Sequence, residues 1–384
     1  MTTHQYASPL ADDLAAVLVG SEALWRELNG VHVLVTGGTG FVGCWLLEAA
    51  LWARARFRID LRISVLARRP ERLAAIAPHL AADPAITLVR GDIRNGDLPS
   101  HDGQAGDGRR VPYTHVIHAA TATNVSLDNP PPLAAFDASV MGTRHVLDLC
   151  ERHAVKRFLL ISSGAVYGRT HALDRPLTES DPLASVRGDL AGAYALGKAA
   201  AEFLSVASGA AHGFTAVAAR CFSFIGPYQP FNSGFAAGNF MRDALEGKSI
   251  QIKGDGTPIR SYLYGADMAM WLWTMLLRGE HGEIFNVGSD RPISIGELAR
   301  QIAREVPAAV PVRECPVVVA GQPTGHRPEL FAPDVGLARA RLGLDVVTPL
   351  DAAIRRTAAW AATAGAANQA TLCAPPCYEP AERT

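Results

Sequence analysis

Val31-His32-Val33-Leu34-Val35-Thr36-Gly37-Gly38-Thr39-Gly40-Phe41-Val42-Gly43 decides the fold. A short β-branched run reads as a buried strand. It breaks into a glycine-rich turn, and residues 41–55 follow with helical spacing. In a strand–turn–helix of this kind Gly37 permits the tight turn. Gly40 lets the backbone approach a pyrophosphate, and Gly43 allows close helix–strand packing. The N–H groups of Thr39, Phe41 and Val42 belong to the turn and the opening of the helix, where a positive dipole end meets phosphates. The segment predicts a dinucleotide site.

Working outward, further short apolar runs fall at 61–66, 86–89, 115–118 and 157–161, with helical patterns at 71–80 and 133–153. Strand–helix alternation predicts an α/β chain with a doubly wound parallel sheet, covered on both faces. Residues 10–29 read as an amphipathic helix. Residues 99–112 read as a polar surface loop, 169–192 as a long connection, and the Ala- and Pro-rich end from 361 as a tail. The expected organisation is a helical extension over 1–30 and a dinucleotide-binding domain over 31–218, with a return near 258–290. A substrate lobe over 219–360 and the tail over 361–384 complete it.

Composition narrows the class. The chain has 384 residues, 48% hydrophobic and 19% charged, which suits a large buried core and not disorder. Its 36 Lys+Arg against 37 Asp+Glu give a net charge of −1, so no nucleic-acid partner is expected. No apolar run is long enough to span a bilayer and no signal-peptide pattern is present, so the expectation is a cytoplasmic protein without a membrane partner. Six scattered cysteines suit a reducing compartment. Cys373 and Cys377 in the tail read as free thiols, and no histidine spacing suits a metal.

The end of the second strand bears on cofactor choice. An NAD site usually has an acid there for the ribose 2′-OH. This chain has Arg68 and Arg69, which can pair with a 2′-phosphate. NADP(H) is therefore expected over NAD(H), against the plainer reading of two solvated charges. Asp92-Ile93, after the third strand, suits the adenine or an ordinary turn equally well.

A second signal is Tyr194-Ala195-Leu196-Gly197-Lys198. On a helix, positions i and i+4 share a face. A lysine one turn from a tyrosine lowers the phenol's pKa and fits it for proton transfer near neutral pH. Ser162-Ser163-Gly164-Ala165-Val166-Tyr167-Gly168 leaves the fifth strand at its carboxyl end, where open α/β sheets bind ligands. A hydroxyl there can hold the substrate oxygen that gains or loses a proton.

With these elements in order, residues 31–355 resemble the extended short-chain dehydrogenase/reductases that modify nucleotide sugars. The resemblance rests on 36–43, Gly91-Asp92-Ile93, His118-Ala119-Ala120, Ser163 with Tyr167, Tyr194 with Lys198, and Gly226-Pro227. It extends over Gly254–Tyr264 and Phe285–Ser289. It implies a Rossmann-type sheet with a smaller C-terminal α/β substrate lobe. It also implies a catalytic Ser163, Tyr194 and Lys198, and a dinucleotide lying along Asp92, Ile93, Ala119 and Ala120. Arg260 would hold the nucleotide diphosphate, with Arg327 as the nearest match to a second arginine. Tyr167 and Ser223 would lie on the substrate, and Asn239 and Phe240 in the nucleotide pocket. Many members have asparagine where Ser139 and Ser223 stand.

Members that eliminate water carry Thr-Asp-Glu where this chain has Ser163-Gly164-Ala165, and decarboxylases place a glutamate at Ala165. The resemblance therefore implies 4-keto reduction or 4-epimerisation. Segments 163–168, 220–227 and 238–245 look most like reductases of dTDP-linked 4-keto-6-deoxyhexoses. An NAD-dependent 4-epimerase is the alternative; a non-catalytic dinucleotide sensor and a reductase of a non-sugar carbonyl stand further off. The family's pairing of helices near 134–153 and 193–211 across a two-fold axis implies a homodimer.

Overall fold

In the computed structural model, β1 (Val31–Thr36) lies inside a seven-stranded sheet, third from one edge. The structure describes residues 8–363 apart from 97, 99–102, 105–109, 121–131, 169–173, 185–189, 233, 323–324 and 326. Cys373, Cys377 and the tail beyond 363 lie outside the described residues, as does most of the 99–112 loop, while residues 361–363, expected to begin the tail, still belong to a helix with Ala361 buried.

The other strands are β2 (Leu61–Ala67), β3 (Ile86–Arg90), β4 (His115–His118), β5 (Arg157–Ser163), β6 (Thr215–Cys221) and β7 (Ile284–Val287). Their order is β3-β2-β1-β4-β5-β6-β7, and every pairing is parallel. The order reverses between β1 and β4, and that switch point is where such sheets bind ligands. β1 is apolar on both faces because helices cover both. This is the expected α/β, Rossmann-type architecture.

α1 (Ala11–Leu18) packs on α2 (Phe41–Phe57) and on α6 below. The expected single helix over 10–29 is broken: Val19 is extended and Gly20 has φ +83°. A short helix and a 3₁₀ turn then carry the buried Trp25 onto Trp273, 5.5 Å away. The helix expected over 71–80 is also split, at Ala77, whose φ −147° is extended. Pro78 disfavours the helical conformation of the residue before it.

β6 and β7 were not among the expected strands. Thr-Ala-Val-Ala-Ala-Arg-Cys has little β-branched content, and the buried Asn286 interrupts β7. The sheet is flanked by α3 (Pro132–Arg152) and α4 (Ala193–His212), which pack together on one face.

The smaller lobe contains α5 (Ala236–Leu245), α7 (Ile295–Ala309) and α8 (Leu350–Thr363) with short two- and three-stranded sheets. α6 (Gly265–Arg278) joins it to the sheet and crosses α2 very closely. A Cβ at Gly265 would lie 2.1 Å from the Trp45 ring. Trp45 donates from Nε1 to the Pro227 carbonyl at 3.0 Å, and Trp273 to that of Leu46 at 3.1 Å.

Candidate active site

The glycine turn closes at the switch point. Gly37 has φ +73°, and a Cβ there would sit 2.6 Å from the Ala120 nitrogen. A Cβ on Gly43 would meet Gly38 Cα at 2.4 Å. Gly40 differs: it is exposed, and a Cβ there would meet only the Gly37 carbonyl, at 3.5 Å. Protein packing does not explain that glycine, but space for a ligand against the backbone does. Gly40 caps α2 with no side-chain hydrogen bond, so the first N–H groups of the helix face that space. The residues present fit a dinucleotide diphosphate.

Around the turn, Thr36 Oγ1 lies 2.7 Å from His118 Nδ1 and accepts the Ala120 N–H at 3.2 Å. Ala119 and Ala120 thus form the opposite wall. Asp92 accepts Arg94 Nη2 at 2.6 Å and the Arg94 N–H at 2.9 Å. Burial alone would raise its pKa, but the Arg94 contacts outweigh it and hold the carboxyl below its usual range. Ile93 offers its carbonyl to His145, 2.7 Å away. Arg68 and Arg69 are exposed at the end of β2, and the Arg68 carbonyl accepts Arg90 at 2.8 Å.

Ser163 ends β5, and its Oγ accepts the Ala165 N–H at 3.1 Å, which leaves its own O–H to donate. Tyr194 and Lys198 lie one turn apart on α4, with the ammonium 6.0 Å from the phenol ring centre. Lys198 is 3% exposed and donates to the Ile161 carbonyl at 2.8 Å. Burial pushes its pKa down to about 8, while Cys221 and Glu202 counteract this. Lys198 thus ties α4 to β5 two residues before Ser163.

A buried network not visible in the sequence supports this corner. Glu202, one turn beyond Lys198, takes a bidentate Arg220 from β6 and the Ser162 hydroxyl at 2.5 Å. Arg220 also donates to the Tyr167 hydroxyl at 2.9 Å, and Tyr167 donates to Asn286 Oδ1 at 2.8 Å. Tyr167 is therefore 5% exposed with its hydroxyl engaged in the protein. Asn286 binds the Leu177 carbonyl and takes Glu179 on its N–H, tying the 174–184 segment to β7.

On the lobe side, Arg260 pairs with Glu329 at 3.1 Å and lies over the Phe331 ring at 5.5 Å. Ile259 donates to the Glu329 carbonyl at 2.8 Å, which brings the Arg327 segment alongside. Arg327 itself is exposed and pairs with Asp174 at 3.3 Å. Ser223 sits on a strand paired with 262–264. Asn239 and Phe240 line a cleft of about 740 Å³ with Lys253 and Gly254. Among the described residues no helix is long and apolar enough to cross a membrane, and no group of three or more His, Cys, Asp or Glu is placed to hold a metal.

A family model described as the NAD dependent epimerase/dehydratase family matches residues 33–288. A dTDP-glucose 4,6-dehydratase of Streptomyces niveus is 29% identical over 279 residues, 71% of this chain and 77% of that protein. Of solved structures, the dTDP-glucose 4,6-dehydratase DesIV of Streptomyces venezuelae superposes with TM-score 0.69 at 24% identity, covering 87% of this chain and 97% of that one. A UDP-glucuronic acid 4-epimerase of Bacillus cereus gives 0.68 at 20%, covering 86% and 96%. Both structures contain NAD. This overturns the expectation of NADP(H): Arg68 and Arg69 are exposed charges at the end of a strand, and their spacing alone does not make a 2′-phosphate site.

Proposed function

The chain belongs to the NAD dependent epimerase/dehydratase family, and from that premise we propose that it moves a hydride at C4 of a nucleotide-linked hexose, without eliminating water. The observation that carries this reading is the end of β5. Ser163, Gly164 and Ala165 supply a hydroxyl and no carboxylate, while Tyr194 and Lys198 are both kept. NAD, when bound, supplies the hydride acceptor or donor.

The chain's own residues handle the oxygen. The Ser163 hydroxyl donates to the C4 oxygen and orients it. The Tyr194 O–H gives its proton to that oxygen when a ketone is reduced, and takes it back in the reverse direction. Lys198, held on the Ile161 carbonyl, places a positive charge beside the phenol and favours the phenolate. Arg260 holds the substrate diphosphate by exchanging its Glu329 partner for phosphate oxygens. Asn239 and Phe240 contact the nucleoside, dTDP being the expected carrier; the Streptomyces relative's name supports it.

Net reduction of a 4-keto-6-deoxyhexose is supported by segments 163–168, 220–227 and 238–245. 4-Epimerisation is the second reading, and the NAD held by the solved 4-epimerase favours it. The test is nicotinamide absorbance with dTDP-4-keto-6-deoxyglucose and NADH. Stoichiometric loss of signal supports reduction. No consumption, with NAD⁺ released from the denatured protein and interconversion of a nucleotide hexose with its C4 epimer, supports epimerisation. A product lacking the C6 hydroxyl from dTDP-glucose overturns both.

A homodimer through α3 and α4 fits the same reading. Met141, Leu196 and Phe203 stand 46%, 43% and 72% exposed on that pair. Light scattering at micromolar concentration tests it, and a monomeric mass refutes it.

A further inference from the structure

We propose that the smaller lobe carries a second ligand site, outside the catalytic corner, that takes a nucleoside phosphate. A cleft of about 520 Å³ opens between the 289–293 turn, α7 and the 346–350 segment. That size suits a small-molecule ligand. Its apolar lining comes from Ile293, Val346 and Leu350, with the aromatic ring of Tyr262 beside them. Arg291, Arg300 and Arg304 surround this lining, the last two one turn apart on α7.

The charge there is only partly neutralised. The only acid in the lining is Glu297, which the N-cap of α7 occupies: it accepts the Ser294 N–H at 3.1 Å and the Ser294 hydroxyl at 2.8 Å. Neighbouring acids are committed elsewhere. Asp290 and Asp345 pair with Arg339, and Asp351 and Glu305 with Arg355. Arg304 shares Glu305 through Nε at 2.9 Å. Arg291 and Arg300 make no ion pair with any described residue. With Arg304 on Glu305, Arg291 and Arg300 against Glu297 leave a local cationic cleft on a chain whose net charge is −1.

Two features set the class of ligand. Guanidinium forks match phosphate oxygens in geometry. An aromatic and apolar lining next to them suits a planar base rather than a bare inorganic anion. Thr348 is buried at the back of the cleft, with its N–H on the Asp267 carboxylate at 3.1 Å and its hydroxyl beside that carboxylate.

The site does not depend on the proposed chemistry at C4. Calorimetric titration of the full chain with dTDP is expected to show two equivalents bound. R300E/R304E removes the second and leaves the first, with turnover unchanged. R260A removes the first and leaves the second, so failure of the diphosphate assignment is read separately. Pyrophosphate in place of dTDP binds at least tenfold more weakly. A single equivalent in the wild type, removed by R260A and untouched by R300E/R304E, overturns the proposal. Equal binding of pyrophosphate and dTDP at the second site overturns its nucleoside part.

Discussion

Glu202 and Arg220 form a bidentate pair in which each side chain is 5% exposed, with Arg220 Nη2 2.8 Å from Glu202 Oε2 and Nε 3.1 Å from Oε1. The pair joins β6 to the helix that carries Tyr194 and Lys198. Its remaining bonds go to Ser162, Tyr167 and the Glu179 carbonyl, so few polar atoms are left unmet. E202Q leaves a buried guanidinium without its counter-charge and is expected to cost about 3–5 kcal/mol. Urea unfolding measures this. Replacing both residues with Met should recover much of the loss, because no lone charge then remains.

The glycines of the turn separate packing from ligand binding. G43A drives a methyl group into Gly38, so both melting temperature and NAD affinity fall. G40A meets no protein atom closer than 3.5 Å and its φ −95° suits alanine. Its melting temperature should stay near that of the wild type while NADH binding, read by the fluorescence of the reduced nicotinamide, weakens. Equal NAD affinity in G40A and wild type would refute the placement of the diphosphate.

Lys198 makes activity and stability depend on pH. Its folded pKa of about 8 lies below the ordinary 10.5, so the unfolded chain holds the proton more tightly. The buried charge therefore costs stability below pH 8, and stability rises with pH from about 8 to 10.5. K198M removes that slope in urea titrations. Turnover should fall as pH rises through 8, since the phenol of Tyr194 loses its neighbouring cation. Y194F lowers turnover by about 10²–10⁴-fold, the usual contribution of a positioned acid–base group.

Two histidines contribute to the acid limit. Burial pushes His118 down to about 3, with Lys198 adding to it, and pushes His115 down to about 4, with Arg157 and Lys156 adding. Both rings stay neutral in the fold while the unfolded chain protonates them below 6.5. Stability is thus full above pH 6.5 and falls as pH drops toward 4 and then 3. A tenfold change in proton affinity is worth about 1.4 kcal/mol, so the two rings together amount to several kcal/mol. H118N is expected to flatten the acid limb of denaturation midpoints, provided the Thr36 and Thr143 contacts survive.

The sheet was legible where local signals were strong. β1 and its glycine turn are contiguous, and each residue choice agrees with its neighbours. β6 was missed because alanines fill a strand whose both faces are tightly covered. The Glu202–Arg220–Tyr167–Asn286 network was also missed, since its partners are 18 to 119 residues apart and only the folded sheet brings them together. Arg68 and Arg69 misled for a related reason: a charge after a strand has the same spacing whether it faces a phosphate or water.

β7 reaches the sheet only after the chain has run through much of the smaller lobe. During synthesis β6 is therefore the outermost strand until residue 287 has left the ribosome, an interval of several seconds at ~5–20 residues per second. Its open edge offers unpaired backbone groups to any passing strand. The nascent chain must be shielded over that interval, and a stop codon placed between 222 and 283 should yield an aggregating product rather than an isolated dinucleotide-binding half.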